Sequence, residues 1–401
     1  MQPQPRSFID SLTSIRFFAA LWVVLLHYGE GFLKGAPDFL WWFGRHGQKG
    51  VALFFILSGF VLGYNYLEKA AKGALDFRDF MLARFARIYP VYILSMLLHI
   101  PFALKETKDV VGGTGAAAIV MLSALPLIVL TLQSWWPKLL YASHWNTPSW
   151  SISNEMFFYA CFPKLAKAAS GFGLKKVAIW SAICVLLVLS FFWLYAVANP
   201  DRLGNVEPNV VTNLWAGFLY YLPLLRLPEF ALGVLLAQAF LLLKPQEATL
   251  LNQPSKAIPI CIATIIGVFA LFSFPHPIWT HVWTAPVSMV ILGLFIMVVA
   301  FERLGGITKF LHLPFMILLG EASYSMYMMQ RPVAGYLDQI FKRVGLGFIG
   351  ESKVSFLIYL VVLTAFSILL FKKVEMPLRK SIRAKLSPLV HRGRQAASTS
   401  S

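Results

Sequence analysis

Apolar runs long enough to cross a bilayer follow one another down almost the whole chain. They lie near residues 10–30, 48–66, 86–104, 150–168, 177–198, 213–243, 258–274, 284–301, 314–341 and 354–372. Each holds about 18 or more mostly hydrophobic residues, the length a helix needs to span the hydrocarbon. No polar stretch between them is long enough for a separate soluble domain. The composition agrees: of 401 residues, 58% are hydrophobic and 13% charged, where a soluble chain carries about a quarter charged. The expectation is an all-α, polytopic integral membrane protein with about ten transmembrane helices. Residues 1–385 would form one transmembrane domain and residues 386–401 a basic, polar cytoplasmic tail.

A net charge of +17 could point to nucleic acid, but the placement of the charge argues against such a partner. Basic residues gather in short loops, such as Lys69 to Arg87 and Lys164 to Lys176, and in the tail. That is the bias of cytoplasmic segments in a membrane protein. The first run holds Arg16 and no small-residue cleavage site, so it reads as a retained span and not a removed signal. Cys161, Cys184 and Cys261 fall in or beside apolar runs. They make no metal spacing and no disulfide framework, and read as packing residues.

An eleventh apolar stretch, GAAAIVMLSALPLIVLTLQ at Gly115–Gln133, is decided by charge. If it crosses, every later loop inverts and the basic tail lies outside when the amino terminus is inside. If it does not, most Lys and Arg fall inside with both termini cytoplasmic, which is the better fit. Broken by Pro126, the stretch is then a re-entrant or interfacial segment. No internal repeat is visible, which weakens an inverted-repeat transporter.

Some polar residues sit where hydrocarbon should exclude them. Arg16 and His27 are eleven residues apart, only about 20° past three helical turns, so they share one face about 16 Å apart along the axis. Snorkelling explains them singly, but a shared face favours a lined cavity. In NTPSWSISNEMFFY, Thr147 and Pro148 mark a helix start, and Ser151, Glu155 and Tyr159 follow at four-residue steps on one face. That helix is expected to begin outside, which places Glu155 about 10 Å below its outer end, at a depth comparable to that of His27. The two could then form a general-base pair, the carboxylate orienting the imidazole. Arg84 and Arg87 in RFAR are either ordinary cytoplasmic charge or an anion clamp suited to phosphates. Arg226 and Glu229, three apart in RLPEF, are expected to pair with each other.

Together these segments resemble the membrane acyltransferase-3 family. RFFAALWVVLLH carries its R-x10-H spacing, GVALFFILSGFVLG is similar to its FFxxSG segment, and RFAR matches its RxxR. WSISNEMFFY, RLPEFALGVLLA, GEASYSMY and VEMPLRK follow in the family's order. One departure stands out: the family often has a histidine shortly after its SYSxY segment, where this chain has Gln330 and then Arg331.

The resemblance implies an O-acyltransferase of the bacterial inner membrane, with no bound cofactor and an acyl-CoA, commonly acetyl-CoA, as co-substrate. The acceptor would be a hydroxyl of a glycan such as exopolysaccharide or lipopolysaccharide, or of a related molecule, on the outer side. On that reading His27 and Glu155 are catalytic, and Arg16, Arg84 and Arg87 bind the donor. Ser58, Ser151, Ser153 and Tyr159 are candidates for positioning. The alternative from another class is a proton-coupled small-molecule transporter that uses the buried Arg, His and Glu. A scaffold for polysaccharide assembly, the third reading, would leave His27 and Glu155 dispensable.

Overall fold

A computed structural model describes residues 9–136, 145–204, 206, 208–210 and 212–398. The rest, including residues 1–8 of the expected domain and 399–401 of the expected tail, lie outside the described residues. Among the described residues the chain is helical, with no strand. Eight helices are long and apolar enough to cross a membrane. They include α1 (Asp10–Tyr28), then α4 (Lys49–Ala71) and α5 (Phe77–Val111), with the short α2 (Glu30–Leu33) and α3 (Asp38–Arg45) between. After α6 (Thr114–Val129) come α7 (Trp150–Ala169), α8 (Leu174–Ala198), α9 (Leu214–Tyr221), α10 (Pro223–Leu243), α11 (Pro254–Leu271) and α12 (Ile278–Ala300). The chain closes with α13 (Gly306–Leu311), α14 (Pro314–Val344), α15 (Lys353–Leu370) and α16 (Met376–Ser398).

Two of the ten expected spans, α7 and α14, are helices of 20 and 31 residues that fall outside those eight. Both carry the polar residues that face the interior. The expected tail boundary at residue 386 falls inside α16, which runs on to Ser398.

Helix α4 is the most buried of the eight and packs most extensively on α10, while α8 and α11 expose most of their length. The α4–α10 contact is a backbone contact. A methyl group on Gly59 would run into the carbonyl of Phe230, and one on Gly233 into that of Ile56. Small residues allow such close approach, and close packing replaces the hydrophobic drive that lipid cannot supply. The same holds where Gly320 of α14 meets Thr13 of α1.

Helix α5 starts where Asp76 accepts a 2.9 Å hydrogen bond from the Asp79 N–H, and it ends at Gly112 with φ +82°. The chain then folds back as α6. The Tyr89 and Tyr92 hydroxyls of α5 donate to the carbonyls of Val129 and Ile128 at 2.8 and 2.7 Å. Helix α6 therefore retraces α5 from its carboxy-terminal end toward its middle. At 16 residues it is about 24 Å long, short of the ~30 Å hydrocarbon thickness.

Side chains between α6 and α7 are stitched into the interior. Gln133 Nε2 donates to the Ser149 carbonyl at 2.9 Å, and Ser134 Oγ to the Trp150 carbonyl at 2.6 Å. Asn146 Nδ2 donates to Ser95 Oγ and to the Met328 carbonyl, both at 3.1 Å. The second bond has a covalent cause: Pro332 has no N–H, so the Met328 carbonyl four residues earlier loses its helical donor. Helix α7 thus begins well inside the bundle. Irregular backbone at such depth is tolerated where protein shields it or it lines a cavity.

This geometry generates a topological expectation. If α6 and α7 together make one net crossing, cysteines at Asp109 and Lys175, both exposed, will label with an impermeant reagent from opposite sides of the membrane. Labelling of both from one side would make α6 a full span.

Candidate functional site

Two cavities lie end to end between α1, α4, α7 and α14. The smaller, about 60 Å³, is lined by Arg16, Ser58, Arg87, Ser151, Glu155 and Tyr159, among others. That is room for about two waters. The larger, about 850 Å³, holds His27 with Arg226, Glu106 and Arg331 on its wall, and lies within the ~300–1,000 Å³ range of small-molecule sites. Val51 and Tyr327 line both, so they form the partition. Tyr327 is fixed there, its hydroxyl donating to the Pro148 carbonyl at 2.8 Å and its ring against Phe54 at 6.1 Å.

The small cavity is an electrostatic cluster. Ser151, Glu155 and Tyr159 share one face of α7, as their spacing requires, and the Tyr159 hydroxyl donates to Glu155 Oε2 at 3.1 Å. Arg87, Arg16 and Arg84 are the cations within electrostatic reach of Glu155. The two arginines of RFAR divide. Arg87 lines the cavity, whereas Arg84 is buried behind it, its guanidinium 5.9 Å from the Tyr66 ring and 5.7 Å from Phe80. Ser153 does not line either cavity; its Oγ accepts the Ser134 N–H at 3.4 Å, so it fastens the segment after α6.

The expected His27–Glu155 pair is not made. Glu155 sits with Arg16 and Arg87, and the residue that meets the imidazole is Gln330, with Oε1 2.7 Å from His27 Nδ1. The reason is depth. That pairing requires α7 to start at the surface, but its first turn is held inside the bundle by Gln133 and Ser134, and Glu155 lines the cavity of Arg16 and Arg87. Thr147 likewise does not cap α7. A 3-10 turn, Thr147–Ser149, precedes the helix, and the Thr147 hydroxyl accepts from Arg331.

Several residues of the site carried no local signal. Arg331 Nη2 lies 2.6 Å from both carboxylate oxygens of Glu106, a bifurcated, charge-assisted contact joining α14 to α5. Glu375 ends a π-helical turn, Phe371–Glu375, just before Pro377. The wide turn brings this buried carboxylate to Ser325 Oγ, which donates to it at 2.9 Å. The expected pair does form on α10, with Arg226 Nη2 3.0 Å from Glu229 Oε2.

A second imidazole group lies beyond the large cavity. The rings of His46 and His276 are 4.2 Å apart, and His46 Nδ1 sits 2.8 Å from the Trp42 carbonyl. Burial, then the neighbouring His46, push the His276 imidazole down to about 3, so this loop histidine is neutral at physiological pH.

Comparison with known proteins assigns the chain. Residues 9–372 match the acyltransferase domain family. The chain belongs to the acyltransferase-3 family. It is 29% identical over 340 residues to acyltransferase MdmB of Streptomyces mycarofaciens, covering 82% of this chain and 79% of that one. It is also 29% identical over 202 residues to protein 2 in the picA locus of Rhizobium radiobacter, covering 47% of this chain and 96% of that protein. A putative peptidoglycan O-acetyltransferase, YrhL of Bacillus subtilis strain 168, is 28% identical over 198 residues, 46% of this chain and 28% of YrhL. No solved structure matches. The chain is thus an acyltransferase-family integral membrane protein, similar to O-acetyltransferases.

The stitching around Pro332 gives a stability expectation. Asn146→Ala strands the Met328 carbonyl in the interior and should lower stability by about 1–3 kcal/mol. The measurement is thermal unfolding in detergent with both proteins at one concentration. An unchanged midpoint would remove Asn146 from that role.

Proposed function

We propose that the protein moves an acyl group, most simply acetyl, from cytoplasmic acyl-CoA to a hydroxyl of a carbohydrate-containing acceptor on the outer side of the bacterial inner membrane. One observation carries the reading: a cationic cavity and a histidine-bearing cavity meet at a single thin partition, Val51 and Tyr327. Both termini would be cytoplasmic, which puts the Arg16–Arg87 cavity on the side where CoA is found.

In this scheme Arg87 and Arg16, with Arg84 behind them, hold the anionic end of the donor. Guanidinium forks match phosphate oxygens in geometry and charge. Glu155 and Tyr159 keep the arginines spaced when no donor is bound; this replaces the role of imidazole support expected for Glu155. The pantetheine arm carries the thioester past Tyr327, which must turn aside because the small cavity is too narrow for it. The acceptor enters the large cavity. His27 Nε2 takes the proton of its hydroxyl, the oxygen attacks the thioester carbonyl, and the C–S bond breaks. The CoA thiolate then recovers the proton from the imidazolium, so protons and charge balance. An acyl-His27 intermediate would use the same atoms.

Aromatic side chains, Trp150, Tyr220 and Tyr221, on the wall of the large cavity support an acceptor with sugar faces to stack on. Two cavities divided by a partition also favour a second reading, alternating access by a transporter. Purified protein with radiolabelled acetyl-CoA separates them: acyl transfer or hydrolysis supports the enzyme, and counterflow with neither supports the transporter.

Substitutions at His27, Arg87 and Arg84 test the assignment of residues. His27→Ala should cut transfer by about 10²–10⁴-fold in a folded, monodisperse protein; activity within a few-fold of wild type would sink the role of His27. Arg87→Gln should weaken apparent acetyl-CoA affinity roughly ten- to a hundredfold, with partial rescue by Lys. Arg84→Gln should cost less, because its guanidinium is already held over two rings. Titration of acetyl-CoA against the three variants checks this, and equal, unchanged affinities would move the donor site elsewhere.

A further inference from the structure

We propose that Gln330 is a positioning residue that locks the His27 imidazole in its Nδ1–H tautomer, so that Nε2 faces the large cavity as the only basic nitrogen. The inference rests on the proposed role of His27 as the base and adds the device that prepares it.

Hydrogen-bond polarity decides which nitrogen carries the hydrogen. The Gln330 side chain is fully buried, and its amide has two distinct ends. Its Nε2 lies 2.8 Å from the Tyr327 carbonyl, three residues earlier on the same helix. A carbonyl only accepts, so the amide NH2 must point toward it, and the opposite orientation would set two oxygens against each other. That choice leaves Gln330 Oε1 facing His27 Nδ1 at 2.7 Å. An amide oxygen also only accepts, so Nδ1 must carry the hydrogen. A neutral imidazole has one N–H, and Nε2 is left with its lone pair.

The frame that holds Gln330 is itself anchored. The Tyr359 hydroxyl of α15 donates to the Gln330 main-chain carbonyl at 3.1 Å. Asn146 takes the carbonyl that Pro332 frees one turn earlier, and the Arg331–Glu106 ion pair ties the next residue to α5. Three neighbours therefore resist rotation of this stretch of α14. The ring of His27 is open toward the cavity, and its Nε2 has no hydrogen-bond partner among the described residues. A neutral glutamine orients the base without adding a charge beside it, which a carboxylate partner would do.

The test reads the tautomer directly. Protein with ring-15N histidine, one of whose 8 histidines is assigned to position 27 by difference against His27→Ala, is examined by NMR in lipid. The expected wild-type spectrum shows His27 with a protonated Nδ1 and a bare Nε2. Gln330→Glu retains an acceptor facing Nδ1 and should keep the hydrogen on Nδ1. Gln330→Leu removes the acceptor, so the spectrum should shift toward Nε2–H. Its kcat should fall roughly tenfold or more, with KM for acetyl-CoA unchanged.

A wild-type His27 protonated at Nε2 overturns the inference whatever any variant does. So does a Leu variant with an unchanged spectrum and rate. Failure of the underlying reading looks different: His27→Ala would remain active while the wild-type ring still carried its hydrogen on Nδ1.

Discussion

An arginine inside a membrane helix must be given partners by other helices, and Arg16 imposes that requirement on this protein. Its charge, with that of Arg87, can be held at that depth only if carboxylates and hydroxyls converge on it from other elements. Glu155 and Tyr159 of α7 and Ser58 of α4 supply that surrounding. Their convergence brings α1, α4, α5 and α7 together around one point, with α14 closing the side. The bundle is organised around a polar centre, and the apolar outer helices, α8 and α11, are left to face lipid.

Proline and glycine shape the access to that centre. Pro332 frees a carbonyl that holds Asn146, and Asn146 sets where the chain enters α7. Because α6 turns back along α5, α7 starts inside the bundle, and a broad cavity opens above it. Gly59 and Gly233 let α4 and α10 touch backbone to backbone, which brings Phe55 to 5.5 Å from the Arg226 guanidinium on the far wall. The result is a wide chamber and a narrow one that share Val51 and Tyr327.

Much of this was legible in the sequence because it depends on local period and composition. Hydropathy marked the helices, α7 and α14 included. The four-residue steps of Ser151, Glu155 and Tyr159 gave the face that lines the small cavity, and the three-residue step of Arg226 and Glu229 gave their pair. Contacts between distant helices had no such signal. Gln330 lies 303 residues from His27, and Glu106 lies 225 from Arg331, so nothing in either local pattern names the other. Glu155 misses His27 for a definite reason: the four-residue spacing of α7 shows which face Glu155 shares, not that the helix begins inside the bundle. The π-helical turn that aims Glu375 inward was hidden for a related reason, since one extra residue per turn changes a face without changing composition.

In the proposed reaction donor and acceptor chambers meet at Tyr327, with the reacting carbon delivered to His27. The most direct measurement is a cryo-EM structure in lipid nanodiscs with a non-hydrolysable thioether analogue of acetyl-CoA. The proposed reaction predicts nucleotide phosphates on the Arg87 side, the Tyr327 ring displaced, and the acyl carbon about 3–3.5 Å from an acceptor oxygen placed at His27 Nε2. An analogue bound with its nucleotide in the large cavity, or with its acyl group away from His27, would contradict it.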